Sequence, residues 1–158
     1  MRFIFSITAL LFFMGSLFSC SQLENKKDAS NISVEIKKFD AWVNLMPGGS
    51  PTFHFAGDIS ITYTGKDSIE YIKMTKVEVF QNDKKLYDEV PYYNEKKRVA
   101  NVYFLENNPR EFLFGSEQNI KIVPELDTDK TVNFELTFQS GEIEKKVKLN
   151  NIKVERVY

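Results

Sequence analysis

The clearest pattern in the chain is a run in which apolar and polar side chains alternate between residues 53 and 64. The apolar positions are Phe53, Phe55, Ile59, Ile61 and Tyr63, and the positions between them carry His54, Ala56, Asp58, Ser60, Thr62 and Thr64. A repeat of two residues is typical of a β-strand that buries one face and exposes the other. Gly57 interrupts the apolar series, and we interpret it as the site of a β-bulge.

A second alternating pattern, near the C-terminus, predicts a hairpin. Its first arm has Val132, Phe134, Leu136 and Phe138, its second arm has Ile143, Val147 and Leu149, and Ser140-Gly141 lies between them. Two alternating runs on either side of a short turn that contains glycine favour an antiparallel pair. Asn150-Asn151 then breaks the run, and the apolar residues after it indicate that the last strand continues beyond a bend.

Weaker patterns between these segments predict further short strands. They cover Ile32 to Phe39, Ile69 to Phe80 with a break near Thr75, Leu86 to Val90, Val99 to Leu105, and Ile120 to Val123. Turn-forming residues separate them, and after Cys20 no long stretch shows the 3.6-residue spacing of a helix. Seven or eight short strands predict an all-β fold, an antiparallel β-sandwich of immunoglobulin-like kind, with a closed barrel as the alternative.

The beginning of the chain has a different character. Met1-Arg2 is followed by the segment from Phe3 to Phe18, which carries almost no polar side chain. As a helix this segment would reach roughly 24 Å, less than the roughly 30 Å of hydrocarbon that a membrane-spanning helix crosses. A positively charged start and a short apolar stretch are typical of a cleaved signal peptide, here residues 1–19.

The end of this stretch, Leu17-Phe18-Ser19-Cys20, resembles the lipobox of bacterial lipoproteins, in which an apolar residue lies three positions before the cysteine and a small one directly before it. The resemblance covers only the signal segment and Cys20. It implies that Cys20 is joined to diacylglycerol, that the peptide is cut before it, and that acyl chains hold the protein on a membrane surface. It also implies the outer membrane rather than the inner one where the source has two, because Ser21 and not aspartate follows the cysteine. An ordinary secretory signal with an incidental cysteine is the alternative.

Composition bounds the part of the chain that follows the signal. The 139 residues from Cys20 onward suffice for one domain with one hydrophobic core. Residues 20–31 are polar and without periodicity, which predicts a flexible tether, and residues 32–158 predict the sandwich domain. Because Cys20 is the only cysteine, no disulfide can form within the chain. The 21 basic and 22 acidic residues are interspersed, which argues against the one-sided basic stripe of a nucleic-acid-binding protein.

Few side chains point to catalysis or to metal binding. His54 is the only histidine, so the chain can form neither a His-rich zinc site nor a Cys/His nucleophile pair. With Met46 and Met74 it makes a candidate copper site, because thioether and imidazole ligands suit Cu(I). Asp127 and Asp129 have a spacing that suits Ca²⁺ ligands, and an Asx-type turn explains them as well. No carboxylates stand out as a general acid and base, so we predict a protein that is not an enzyme and that needs no cofactor.

Two aromatic segments are candidate contact surfaces. The segment 41–51 contains the only tryptophan, Trp42, together with Leu45, Met46 and four Gly or Pro residues, and we predict a loop. Either Trp42 and Leu45 cover one open end of the sandwich as a plug, or the loop contacts a partner, because aromatic residues are enriched in recognition sites. Tyr92 and Tyr93 form the second candidate. Their rings either stack on a sugar or pack on a protein, or one of them is buried at a strand edge.

Together these patterns predict a lipid-anchored binding or accessory protein of the bacterial cell envelope. It would be tethered through Cys20 and would contact a protein or a glycan through loops at one end of the sandwich. A small envelope enzyme or a copper- or calcium-handling protein is one alternative. A structural spacer between the membrane and an envelope polymer is another.

Overall fold

A computed structural model describes residues 29–97, 103–117 and 120–158, and over them the chain is almost entirely β-structure. The predicted antiparallel β-sandwich is confirmed, with ten strands in the described residues instead of seven or eight. The strands are β1 (Ile32–Asn44), β2 (Thr52–Tyr63), β3 (Lys73–Gln81), β4 (Lys84–Glu89), β5 (Tyr92–Glu95), β6 (Arg110–Gly115), β7 (Ile120–Lys121), β8 (Val132–Ser140), β9 (Ile143–Ile152) and β10 (Val154–Val157). The signal peptide, Cys20 and all but the last three residues of the predicted tether lie outside the described residues.

The strands form two sheets that pack face to face. One sheet has the strand order β10-β1-β2-β6-β5, with the short β7 paired to β2, and the other has the order β4-β3-β8-β9. Strand β10 runs parallel to β1, and the other paired strands of the described residues run antiparallel. The chain changes sheet after β2, β4, β7 and β9. Two separate sheets make the architecture a sandwich and not the closed barrel.

The core lies between the sheets and is rich in phenylalanine. The alternating apolar residues of β2 and β8 face inward, as the sequence predicts, and are joined by residues of β3 and β6. The ring of Phe134 on β8 contacts Phe39 of β1 edge-on, with ring centroids 4.7 Å apart. Each such ring contributes about 1.5–3 kcal/mol relative to an exposed position. The largest fully buried side chains are Phe53, Phe55, Phe104, Phe112, Phe114, Phe134, Phe138, Ile32, Ile59, Ile61, Ile69 and Ile72.

Strand β1 is longer than predicted, which corrects the interpretation of the segment 41–51 as a loop. The strand continues to Asn44 because Ala41 and Val43 face the core and pair with Phe55 and Phe53 of β2. The bulge predicted at Gly57 lies on the neighbouring strand, between Ile36 and Lys38. The absence of a side chain at Gly57 instead makes room for the ring of Phe114, which occupies the position that a Cβ would take.

Strand β6 was not predicted, and β5 corresponds to the strand-edge alternative for Tyr92 and Tyr93. In β6 the inward positions carry Arg110, Phe112 and Phe114, whereas Leu113 faces outward. The alternation of polar and apolar residues therefore does not indicate which side of β6 is buried. The predicted strand from Val99 to Leu105 falls partly outside the described residues, and Phe104 forms an isolated bridge with Ile69. Strand β3 begins at Lys73, four residues later than predicted, and the break predicted near Thr75 is a register shift between Met74 and Lys76.

The two ends of the sandwich differ in what they carry. At the N-terminal end, the carbonyl of Asn31 accepts a hydrogen bond of 2.9 Å from the backbone N–H of Thr64. From there β1 runs roughly 40 Å to the far end, which we define by the connection 45–51. The C-terminus also lies at the far end, because the N–H of Leu45 donates to the carbonyl of Val157. Within the described residues, no helix has the length and apolar character needed to cross a membrane.

Candidate binding face on the six-stranded sheet

The outer surface of the six-stranded sheet carries apolar and aromatic side chains that the core does not use. Because side chains alternate along a strand, the inward positions of β1, β2, β5 and β6 fix which residues point outward. The register then brings outward residues of four strands together. We call this surface the aromatic face, and it consists of Trp42, His54, Ala56, Tyr92, Leu113 and Gly115.

Trp42 and His54 are direct cross-strand neighbours on β1 and β2. Their rings stack at a centroid distance of 5.4 Å with planes 16° apart. The Nε2 atom of His54 is hydrogen-bonded to the hydroxyl of Thr52 at 2.8 Å. Burial lowers the pKa of His54 below its ordinary range, because the charged imidazolium loses water there. The two rings therefore form a neutral, half-buried pair at the part of the aromatic face closer to the far end.

Tyr92 covers a glycine of the neighbouring strand. It pairs with Gly115 of β6, and a Cβ at position 115 would be 2.6 Å from the Tyr92 ring, so the ring covers the glycine. The Tyr92 residue keeps 41% of its surface exposed. Leu113, two residues before the glycine and 45% exposed, continues the apolar surface. An aromatic residue that covers a glycine of the neighbouring strand helps to fix the register of the two strands.

The charges next to the aromatic face are paired with one another. The Nζ atom of Lys38 lies 2.9 Å from the carboxylate of Asp40, and Asp40 lies two residues before Trp42 on β1. Lys96 lies 2.5 Å from the carboxylate of Asp58, opposite Leu113. These lysines hold their protons more firmly, since the hydrogen bonds to Asp40 and Asp58 raise the pKa of Lys38 and of Lys96. Both lysines next to the face are thus neutralised by carboxylates.

The structure separates the five residues predicted as contact residues into three groups. Trp42 and Tyr92 share the aromatic face, although Trp42 belongs to a strand and not to the predicted loop. Leu45 packs against the core at the far end, which fits the plug interpretation for that residue alone. Met46 lies beside it and is 53% exposed. Tyr93 faces inward, where its ring stacks on Phe112 at 4.6 Å, so it is the buried ring of the pair at a strand edge.

The candidate copper ligands do not meet. His54 points outward from the six-stranded sheet, Met74 is buried in the core on the other sheet, and Met46 lies in the far-end connection. Asp127 fulfils the turn interpretation, because its carboxylate accepts a hydrogen bond of 3.0 Å from the backbone N–H of Asp129. Among the described residues, no group of three or more His, Cys, Asp or Glu side chains is arranged to hold a metal ion.

An apolar groove of about 580 Å³ opens at the far end, beside the predicted plug. It is lined by Val43, Leu45, Ser50, Pro51, Lys121, Ile122 and Thr128. Sequence reasoning missed this groove and also missed the contribution of Leu113, Ala56 and Gly115 to the aromatic face. These three residues point outward next to an aromatic residue, and that arrangement can be recognised only when the register of β2, β5 and β6 is known.

Comparisons with known proteins add no family to this picture. No protein-family model matches the chain, and no curated protein matches its sequence.

Proposed function

We propose that this chain is a lipid-anchored, non-catalytic binding protein of the bacterial cell envelope, tethered through Cys20, which contacts its partner with the aromatic face. The observation that carries the proposal is the exposure of Tyr92 and Leu113 on the same outer sheet surface as the Trp42-His54 pair. Contiguous apolar surface with a polar rim is typical of interaction sites, because exposing it to water costs free energy that a partner restores.

The outer face of the other sheet provides the contrast. There Glu78 is held by Lys76 and Lys85 at 3.1 Å each, and Glu135 by Lys146 at 2.8 Å. Hydrogen bonds from Lys85 and Lys146, respectively, lower the pKa of Glu78 and of Glu135, so both carboxylates are charged at neutral pH. A surface of ion pairs is well solvated by itself. The two outer faces of the sandwich thus differ in character, and the aromatic face is the one suited to a partner.

The place where the described residues begin is compatible with the anchored arrangement. The chain from Cys20 enters the sandwich at the N-terminal end, whereas the Trp42-His54 pair lies near the other end of β1. The eight residues from Ser21 to Asp28 can span at most about 3.6 Å each. An anchor at Cys20 therefore keeps the N-terminal end within about 30 Å of the membrane, and the Trp42-His54 pair lies near the opposite end of β1. The structure as described begins after the anchor, which makes Cys20 a proposal from the lipobox resemblance.

Site-specific photo-crosslinking in intact cells tests the binding surface. A benzoylphenylalanine at position 92 retains an aromatic ring on the face, and the same residue at position 148, which is 71% exposed on the outer face of the other sheet, is the matched control. We expect a crosslinked product from position 92 and none from position 148. No product from position 92, or equal products from both, would contradict the proposal.

The anchor has its own test. The intact mass of the membrane-fractionated protein should correspond to a chain that begins at Cys20 and carries added acyl mass. The Cys20→Ala variant should lose both the added mass and the membrane association. An unmodified, freely diffusing wild-type protein would refute the anchor while leaving the aromatic face in place.

A further inference from the structure

We propose that the aromatic face binds a glycan, as an uncharged chain of pyranose rings that lies across β5, β6, β2 and β1. This inference rests on the proposed function and specifies its ligand class. The ring of Tyr92 is the stacking platform, and the Trp42-His54 pair bounds the site at the other side. A pyranose presents a face of C–H groups, which carry slight positive charge and match the negative face of an aromatic ring.

Tyr92 combines support from the sheet with exposure to solvent. Its Cε1, Cζ and hydroxyl oxygen lie within 2.7 Å of the position that a Cβ of Gly115 would take, and 41% of the residue remains exposed. An exposed aromatic ring that the sheet supports suits a flat ligand that stacks on it. A protein side chain would more often fill a pocket, and the pairing of Tyr92 with glycine offers a platform and no pocket.

The face is wide enough for several sugar rings. Tyr92 on β5 and Trp42 on β1 are separated by three strand spacings, which is about 14 Å across the sheet. The row of Tyr92 continues through Gly115 on β6 and Ala56 on β2 to Asp40 on β1, and Trp42 lies two residues further along β1, beside His54. Because Gly115 and Ala56 have the smallest side chains, the surface accommodates an extended ligand that runs obliquely from Tyr92 toward the Trp42-His54 pair.

The charges around the face distinguish between classes of ligand. Lys38 is paired with Asp40 and Lys96 with Asp58, and Glu155 beside Trp42 adds a further carboxylate, so the face has no excess of positive charge to attract an anionic polymer or an acidic peptide. The carboxylates of Asp40, Asp58 and Glu155 supply acceptors for hydroxyl groups around an apolar centre. A ligand that is apolar on its ring faces, rich in hydroxyls at its edges and uncharged meets all three requirements.

The single tryptophan makes the test direct, since Trp42 reports on the face in every variant that keeps it. The full lipidated chain, in a detergent without a sugar headgroup, is titrated with neutral hexasaccharides of β-1,4-linked glucose, β-1,4-linked N-acetylglucosamine and α-linked mannose, and with a polygalacturonate oligomer as the anionic control. We expect saturable changes in Trp42 fluorescence with at least one neutral glycan and none with the anionic one.

Variants then locate the binding. Tyr92→Ala removes the platform, and Gly115→Ala keeps the tyrosine but displaces its ring, because the new Cβ would overlap it. Each should weaken binding about tenfold, the loss expected for one stacking ring. Lys148→Ala is the matched control and should bind as wild type does. Urea unfolding of each variant checks that the sandwich is intact. Tyr92→Phe retains the ring and should bind as the wild type does, which keeps the test usable if Tyr92→Ala folds poorly.

Three outcomes would overturn the glycan proposal. The first is no binding of any neutral glycan, the second is equal binding by the wild type, Tyr92→Ala and Gly115→Ala proteins, and the third is tighter binding of the anionic oligomer. A protease-sensitive crosslink from position 92 together with no glycan binding would retain the proposed function and replace its ligand by a protein. A failure of both experiments would remove the function as well as the ligand.

Discussion

Arg110 shows how a single charged residue can occupy the inner side of a strand. Its guanidinium lies 4.5 Å above the ring of Phe104 and within 5.8 Å of that of Phe112, so its flat face is used by cation–π contacts. Its edge donates two hydrogen bonds to the carboxylate of Glu95, at 2.6 and 2.5 Å. These hydrogen bonds raise the pKa of Arg110 and keep it charged. The pair joins β5 to β6, and through them it positions the platform residue Tyr92.

We expect Arg110→Ala to destabilise the protein by about 3 kcal/mol, because it leaves the carboxylate of Glu95 poorly solvated and without its partner. Only 6% of the Arg110 side chain and 15% of the Glu95 side chain are exposed. Urea unfolding measures the change. Arg156→Ala is the matched control, since its partner Asp129 is exposed, and it should cost about 1 kcal/mol or less. Similar losses in the two variants would show that Arg110 behaves as a surface ion pair.

His54 gives a second prediction at this scale, on pH. Burial lowers its pKa in the folded state, while the unfolded chain keeps the ordinary value of about 6.5. The unfolded chain therefore binds the proton more readily, and the free energy of unfolding should fall as the pH drops below about 6.5. The stacked Trp42 allows the titration to be followed by fluorescence, and His54→Gln should abolish it. A midpoint above 6.5 would mean that attraction of the imidazolium to the indole outweighs desolvation.

At the scale of elements, strands β2 and β6 fit together through a glycine. Gly57 of β2 pairs with Phe114 of β6, and the ring of Phe114 occupies the space above the glycine on the core side. On the opposite surface, Tyr92 covers Gly115 in the same way. Aromatic rings above glycines thus stabilise this sheet on both faces, inside for packing and outside for the proposed binding.

We expect Gly57→Ala to cost about 1–3 kcal/mol, because the added methyl group overlaps the buried ring of Phe114 and the core cannot expand freely. Gly49→Ala is its control, since nothing lies within 4 Å of a Cβ at that position, and it should change stability by less than about 0.5 kcal/mol. Thermal or urea unfolding compares the two. Equal effects would show that the ring of Phe114 moves aside easily.

Strands were predictable from the sequence where one face meets the core and the other meets water. Strands β2, β8 and β9 have this arrangement, and their alternation indicated them correctly. Strand β6 could not be found in this way, because the inward Arg110 and the outward Leu113 reverse the expected polarity. The end of β1 was assigned to a loop because Pro47 and the glycines after it dominated the pattern. The inward positions of Ala41 and Val43 depend on the pairing with β2, which is a long-range contact.

At the scale of the whole molecule, the candidate face joins residues that lie far apart along the chain. Trp42 and Tyr92 were both predicted as contact residues, but their common surface depends on the strand order β1-β2-β6-β5. The register also decided which of two adjacent tyrosines points outward, because Tyr93 pairs with the inward Phe114. Sequence alone identifies the candidates of such a site. The order and the register of the strands assemble them.

The same topology predicts how the anchored protein stands on a membrane. Glu142, in the turn between β8 and β9, lies at the end where the chain enters the sandwich, since the neighbouring β9 contacts the turn Ala29–Asn31. Ser50 lies at the far end, roughly 40 Å away along β1. A fluorophore on Glu142→Cys in the lipidated protein should therefore be quenched more strongly by a headgroup-located quencher than one on Ser50→Cys. Both should be unaffected in the Cys20→Ala background, where no anchor holds the chain. Stronger quenching at position 50 would mean that the far end faces the membrane, and the aromatic face would then be presented to lipid and not to an envelope partner.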